Sequence, residues 1–205
     1  MTFAERERED LANLLLSVGP DAPTLCEGWT TRDLANHLYI RENRLDAAGG
    51  MFVKALSNRL DDVTDEVNRM PYVEVVGKWG SGAPKWNPMN WADRYVNAAE
   101  NFVHHEDVRR AQEGWTVRQL PPSGNSDLWR LVTTAGRMML RGSTSTVVLM
   151  RDDGVAVTPI DNSAKGAPVV TVRGSVGELV LWLYGRDEVR VTIDGDESGI
   201  KRNSI

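Results

Sequence analysis

Apolar residues recur at helical spacing through the first two-thirds of the chain. Residues 3–17 set Phe3, Leu11, Leu14 and Leu15 among charged residues, the stripe of an amphipathic helix. A loop, GPDAPTLCEGW, follows. Thr30 and Asp33 then have capping-box spacing, with Asp in place of the usual Glu or Gln. A second helix is predicted from about Thr31 to Ala48, stopping at Gly49-Gly50. A third helical stretch is predicted within 51–69, before Pro71, and a shorter segment near 71–78. The stretch WGSGAPKWNPMN (79–90) is dense in Gly, Pro and Asn and reads as a loop. From Trp91 to about Gln112 a long helix is predicted, ended by Gly114.

The pattern changes after Pro121-Pro122. Residues 126–141 still look helical, with Leu128, Leu131, Val132 and Met138 as the apolar set. STVVLMRDDGVAVTPI reads as a strand, an Asp-Gly turn and a second strand. PVVTVRG adds a third strand, SVGELVLWLYGR a short apolar helix, and EVRVTID a last strand. Strands gathered after a block of helices predict an α+β chain of two segregated units. The boundary falls near 117–125, which separates a helical domain over 1–120 from a small α/β domain over 121–205.

Composition narrows the function classes. Of 205 residues, 41% are hydrophobic and 26% charged, a globular balance rather than a disordered one. The formal charge of −5 gives no support to a polyanion partner, and no basic stripe marks a nucleic-acid surface. A single cysteine, Cys26, forms no internal disulfide and suggests a reducing, cytoplasmic compartment. No apolar run approaches the ~20 residues that cross a bilayer, and MTFAERERED lacks the basic-then-apolar order of a signal peptide. The Gly-rich segment 77–82 lacks the Lys-Ser/Thr ending of a phosphate-cradling loop.

Candidate chemistry lies with the three histidines, His37, His104 and His105. Glu100 and His104 are four apart in the long helix, so both side chains leave from nearly the same face. Imidazole and carboxylate together suit a divalent metal. His37 sits mid-way along the second helix, and side-by-side packing would supply a third ligand. Three protein ligands leave an open position, as in reactive zinc sites. Spacing alone also fits a solvated polar pair on an exposed helix face, and by itself favours that reading. His105-Glu106 begins a zinc-protease motif, but position 109 is Arg where the second His belongs. His105, turned ~100° from His104, is expected to face solvent or a polar neighbour.

LCEGWTTRDLANHLYIREN, with His37, resembles the start of the DinB-like metal-binding family, more closely its actinobacterial branch of mycothiol-dependent maleylpyruvate isomerases. Glu100-Asn-Phe-Val-His104 resembles that branch's E-x-x-x-H element, and GSVGELVLWLYGR the helix of the small α/β domain that follows the bundle. The resemblance implies a DinB-like four-helix bundle followed by a sterol-carrier-like α/β unit. It implies a divalent metal, usually zinc, on His37, Glu100 and His104, and a low-molecular-weight thiol, mycothiol, as cosubstrate. Nickel, iron or manganese would suit the same donors.

A metal cation lowers the pKa of a coordinated thiol until it binds as thiolate, the competent nucleophile. In an isomerase the thiolate would add to an electron-poor double bond, permit rotation and leave; in an S-transferase it would stay attached. Arg186, at the end of WLYGR, is the candidate catalytic contact to an anionic small-molecule substrate; as a helix C-terminal cation it would only complement the dipole. Two other functions compete: a metal-dependent hydrolase, and a non-catalytic metal-stabilised binding protein. Cys26 is expected to be a buried small side chain, and a fourth ligand only if its loop folds over the bundle. Arg41 is expected in an exposed ion pair unless it lines the pocket. Trp29 is expected to pack at the helix start, and Trp79, Trp86 and Trp91 to anchor the Gly/Pro loop or wall a pocket.

Overall fold

The computed structural model describes residues 1–51, 57–82 and 94–202. The chain divides into two compact units, essentially Phe3–Trp115 and Thr116–Ile205. Among the described residues no helix is long and apolar enough to cross a membrane.

Unit 1 is helical: α1 (Phe3–Val18), α2 (Thr31–Asn43), the single turn α3 (Leu45–Ala48), α4 (Ser57–Asn68), α5 (Tyr72–Gly80) and α6 (Arg94–Arg110). The capping box at the start of α2 is present. The Asp33 backbone N–H donates to Thr30 Oγ1, and the Thr30 N–H donates to the Asp33 carboxylate. Leu11 and Leu15 of α1 meet Leu34 and Leu38 of α2 in a core closed by Val76 and Trp79 of α5. Arg8 ties three helices together. Its guanidinium donates to both Glu42 carboxylate oxygens, donates to the Trp79 carbonyl, and lies 4.9 Å over the Trp79 ring.

The helix predicted over 31–48 is interrupted at Arg44, whose backbone (φ −126°, ψ 65°) leaves the helical region. Its side chain binds Asp46 and Glu66, and α3 begins at the next residue. The loop predicted over 79–90 begins later than expected. Trp79 lies inside α5 and is fully buried in the helical core, not in the loop where it was expected. Trp86 and Trp91, and the start of the long helix at 91–93, lie outside the described residues.

Unit 2 begins with α7 (Pro122–Met139), then β1 (Thr146–Arg151), β2 (Ala156–Ile160), β3 (Val169–Gly174), α8 (Val176–Leu183) and β4 (Thr192–Asp194). The sheet order is β2-β1-β3-β4, with β1 and β3 parallel and both outer pairs antiparallel. Val147, Leu149, Val170 and Val172 alternate onto the buried face, and α7 and α8 pack on the sheet and on each other. Gly195 is required after β4. Its φ is +112°, and a Cβ there would lie 2.7 Å from the Val169 carbonyl oxygen. Two expectations are corrected. Met139, not Met138, is the buried methionine, Met138 being 61% exposed. The last strand covers only Thr192–Asp194 of the seven residues expected.

Two predictions follow from unit 1. T30A removes a side-chain acceptor at the α2 N-terminus and should cost about 1 kcal/mol in denaturant unfolding; unchanged stability would contradict the capping role. Hydrogen bonding to Arg44, followed by Arg59, holds the Asp46 carboxyl at about 2 against the ordinary 3.8. Its stabilising contribution is therefore complete above pH ~4 and is lost as pH falls towards ~2. The cluster is exposed, so D46N should cost less than ~1 kcal/mol near neutrality, and less in high salt. Parallel pH-stability curves for D46N and wild type across that interval would contradict the assignment.

Candidate metal centre

Three segments build the site: the loop 19–30, the middle of α2, and the middle of α6. Thr31 Oγ1 donates to the Gly19 carbonyl, and Thr24 Oγ1 donates to the Trp29 carbonyl. The Leu25 N–H donates to the Asp107 carbonyl, which pins the loop directly to α6.

Five polar side chains described along α6 are buried. Asn101, His105, Glu106, Asp107 and Arg110 are each at most 6% exposed. Such groups need partners in place of water. Glu106 receives Arg109 and Arg110, Asn101 donates to the Ala4 carbonyl, and His105 Nδ1 donates to Glu7 at 2.9 Å. His105 thus faces a polar neighbour on α1, one of the two surroundings expected for it.

The structure brings His37, Glu100 and His104 together, one ligand atom of each lying within 4.8 Å of the others. Both imidazoles turn Nε2 towards the same carboxylate oxygen. His37 Nε2 lies 3.6 Å from Glu100 Oε1, and His104 Nε2 lies 3.4 Å from it. The rings meet edge to face with centroids 5.5 Å apart. Donor atoms at ~2.0–2.1 Å around a tetrahedral zinc stand about 3.3–3.4 Å from one another, so this spacing and donor set fit such an ion. Glu100 keeps a fifth of its side chain exposed, which leaves the set open on one side.

His104 has a second partner. Its Nδ1–H donates to Asp107 Oδ2 at 3.0 Å, and Asp107 is fully buried. A carboxylate on Nδ1 fixes that nitrogen as a donor and turns Nε2 away from it, towards Glu100, the arrangement typical behind metal-ligating histidines. Burial alone would lower the His104 pKa, but hydrogen bonds with Asp107, Cys26 and Glu100 raise it well above the ordinary histidine value. Burial likewise pushes the Glu100 carboxyl up; hydrogen bonds from His104 and His37, with the charges of His104 and Arg41, outweigh it and hold the group well below the usual range.

Arg41 departs from the exposed pair expected of it. Its side chain is 11% exposed and its Nε stands 3.5 Å from Glu100 Oε1. Trp29 packs over His37, with ring centroids 5.2 Å apart. Cys26 falls outside the His37–Glu100–His104 set and donates to Asp107 at 3.3 Å. Arg186 belongs to unit 2, where it is half-buried and donates to the Tyr184 carbonyl at the end of α8. Asp107 is the site residue that sequence reasoning missed. The available signal was its i,i+3 spacing from His104 on a helix already credited with a ligand.

No family model matches the sequence, and no curated protein matches it. Two solved structures do. One is the mycothiol-dependent maleylpyruvate isomerase, with a TM-score of 0.60 and 16% identity; the other, a histidine-to-alanine mutant of that isomerase, has a TM-score of 0.59 and 16% identity. Each match covers 98% of this chain and 94% of the other. The chain has that isomerase's fold.

D107N keeps the size of the buried side chain but removes its charge. It should weaken divalent-cation binding by about 10–100-fold, read by competition with a chromogenic chelator. Wild-type affinity in D107N would show that His104 needs no orienting partner.

Proposed function

We propose that this protein is a divalent-metal- and thiol-dependent isomerase acting on a small electrophile, with mycothiol as the thiol. The observation that carries the reading is the pair of Nε2 atoms facing one carboxylate oxygen, in a chain with the fold of a mycothiol-dependent isomerase. His37, Glu100 and His104 hold the cation, zinc being the ion their donor types suit best. A cation there supplies the charge that lets a thiol bind as thiolate near neutral pH.

The remaining work belongs to the chain's own side chains. Asp107 holds the His104 ring by Nδ1 and keeps Nε2 turned to the site. Glu100 stays ionised because its hydrogen bonds outweigh burial. Trp29 packs against one side of the His37 ring and helps to hold it in place. The thiolate adds to an electron-poor double bond, the new single bond rotates, and the thiolate leaves. Arg186, in unit 2, is proposed as a carboxylate-binding residue, a role that its planar guanidinium suits better than an ammonium would. In the same reading unit 1 is a DinB-like four-helix bundle and unit 2 a sterol-carrier-like module.

Protein purified without an affinity tag should carry close to one metal equivalent by elemental analysis, and H37A should carry far less. Metal-loaded protein should bind mycothiol and isomerise cis-unsaturated acids with the thiol recovered unchanged. Thiol consumed in proportion to product would make the enzyme an S-transferase. No thiol binding at millimolar concentration, or turnover undiminished without thiol, would overturn the proposal.

A further inference from the structure

His104 serves two donor sets, one through each ring nitrogen. Nε2 faces Glu100, beside His37, while Nδ1 meets Asp107, beside Cys26. Ligand atoms of Cys26, His104 and Asp107 also lie within 4.8 Å of one another. This second set contains sulfur, nitrogen and oxygen, where the first contains nitrogen and oxygen alone.

We propose that Cys26, Asp107 and His104 form a second cation site, selective for thiophilic divalent ions such as cadmium, which competes with the His37–Glu100–His104 set for one imidazole. Three observations support it. Asp107 Oδ2 already receives both the thiol, at 3.3 Å, and the imidazole, at 3.0 Å, so the three donors form one contiguous cluster. The Leu25 N–H to Asp107 carbonyl bond holds the cysteine's loop against α6, so convergence does not depend on a mobile segment closing. Cys26 is only part-buried, which gives an ion access to an otherwise enclosed carboxylate.

Sulfur decides the selectivity. Thiolate prefers soft cations, whereas a set of imidazoles and carboxylate favours zinc and its harder neighbours. A neutral imidazole offers one lone pair at a time, so His104 cannot complete both sets. When an ion enters at Nδ1, the thiol proton passes to solvent. The ring proton moves from Nδ1 to Nε2, where Glu100 Oε1, at 3.4 Å, accepts it. The ring then no longer serves the first set, so a thiophilic ion disables the centre without touching His37.

Cadmium titration of the full-length protein tests this, with the near-ultraviolet thiolate-to-cadmium charge-transfer band as the readout. The band should saturate at one equivalent, persist in H37A and vanish in C26S. Zinc loaded beforehand should raise the cadmium midpoint by about tenfold or more. In wild type, cadmium should also slow alkylation of Cys26 by iodoacetamide, a measurement that needs no variant to fold. Absence of the band, or an unchanged alkylation rate, would overturn the proposal. Loss of the band in H37A would overturn it too, by showing a single site shared with His37. Zinc uptake and isomerase turnover are separate readouts, so failure of the functional reading would leave these outcomes intact.

Discussion

A single carboxylate oxygen organises the helical unit. Glu100 Oε1 is approached by His37 from α2, by His104 from its own helix, and by Arg41 one turn beyond His37. Removing a carboxylate from most of its water costs free energy that only charged or hydrogen-bonded partners offset. Two imidazoles and a guanidinium around one acid are more than neutralisation requires. They form a directional donor set, and α2 and α6 must pack in one register for it to exist.

The rest of unit 1 reads as support for that register. The capping box at Thr30 and Asp33 fixes where α2 begins, and with it where His37 emerges. Arg8 clamps Glu42 at the far end of α2 to the Trp79 carbonyl on α5. Along α6 the buried polar groups are separately matched, His105 with Glu7 and Glu106 with Arg109 and Arg110. These pairs keep neighbouring charges occupied, so His104 and Glu100 face the centre rather than one another's substitutes. Asp107 then fixes the His104 ring by Nδ1 and turns Nε2 to the centre.

How much of this was legible before the fold was known varies with the physics involved. Local chemistry was readable: Thr30 and Asp33 announce a helix start by their spacing alone, and the Asp153-Gly154 turn separates two strands of alternating burial. Positions set by tertiary context were not. Nothing in Asn43-Arg44-Leu45 marks a break, and the ion pairs that accompany it reach to Asp46 and to Glu66 on another helix. Met138 and Met139 are chemically identical neighbours, and only packing decides which is buried. Trp79 stands at the edge of a Gly/Pro-rich run, which hides the last turn of α5. The three donors were picked out by motif resemblance; spacing alone gave only Glu100 and His104 a common face. Asp107 escaped notice because a run of polar residues on one helix ordinarily signals a solvated face, and α6 is buried instead.

The central claim is that His37, Glu100 and His104 grip one ion through nitrogen and oxygen. X-ray absorption spectroscopy of the zinc-loaded protein, recorded without added thiol, tests it most directly. The account predicts a first shell of nitrogen and oxygen only, with the multiple-scattering signature of two imidazoles, falling to one in H37A. A shell containing sulfur, or two imidazoles that survive in H37A, would contradict it.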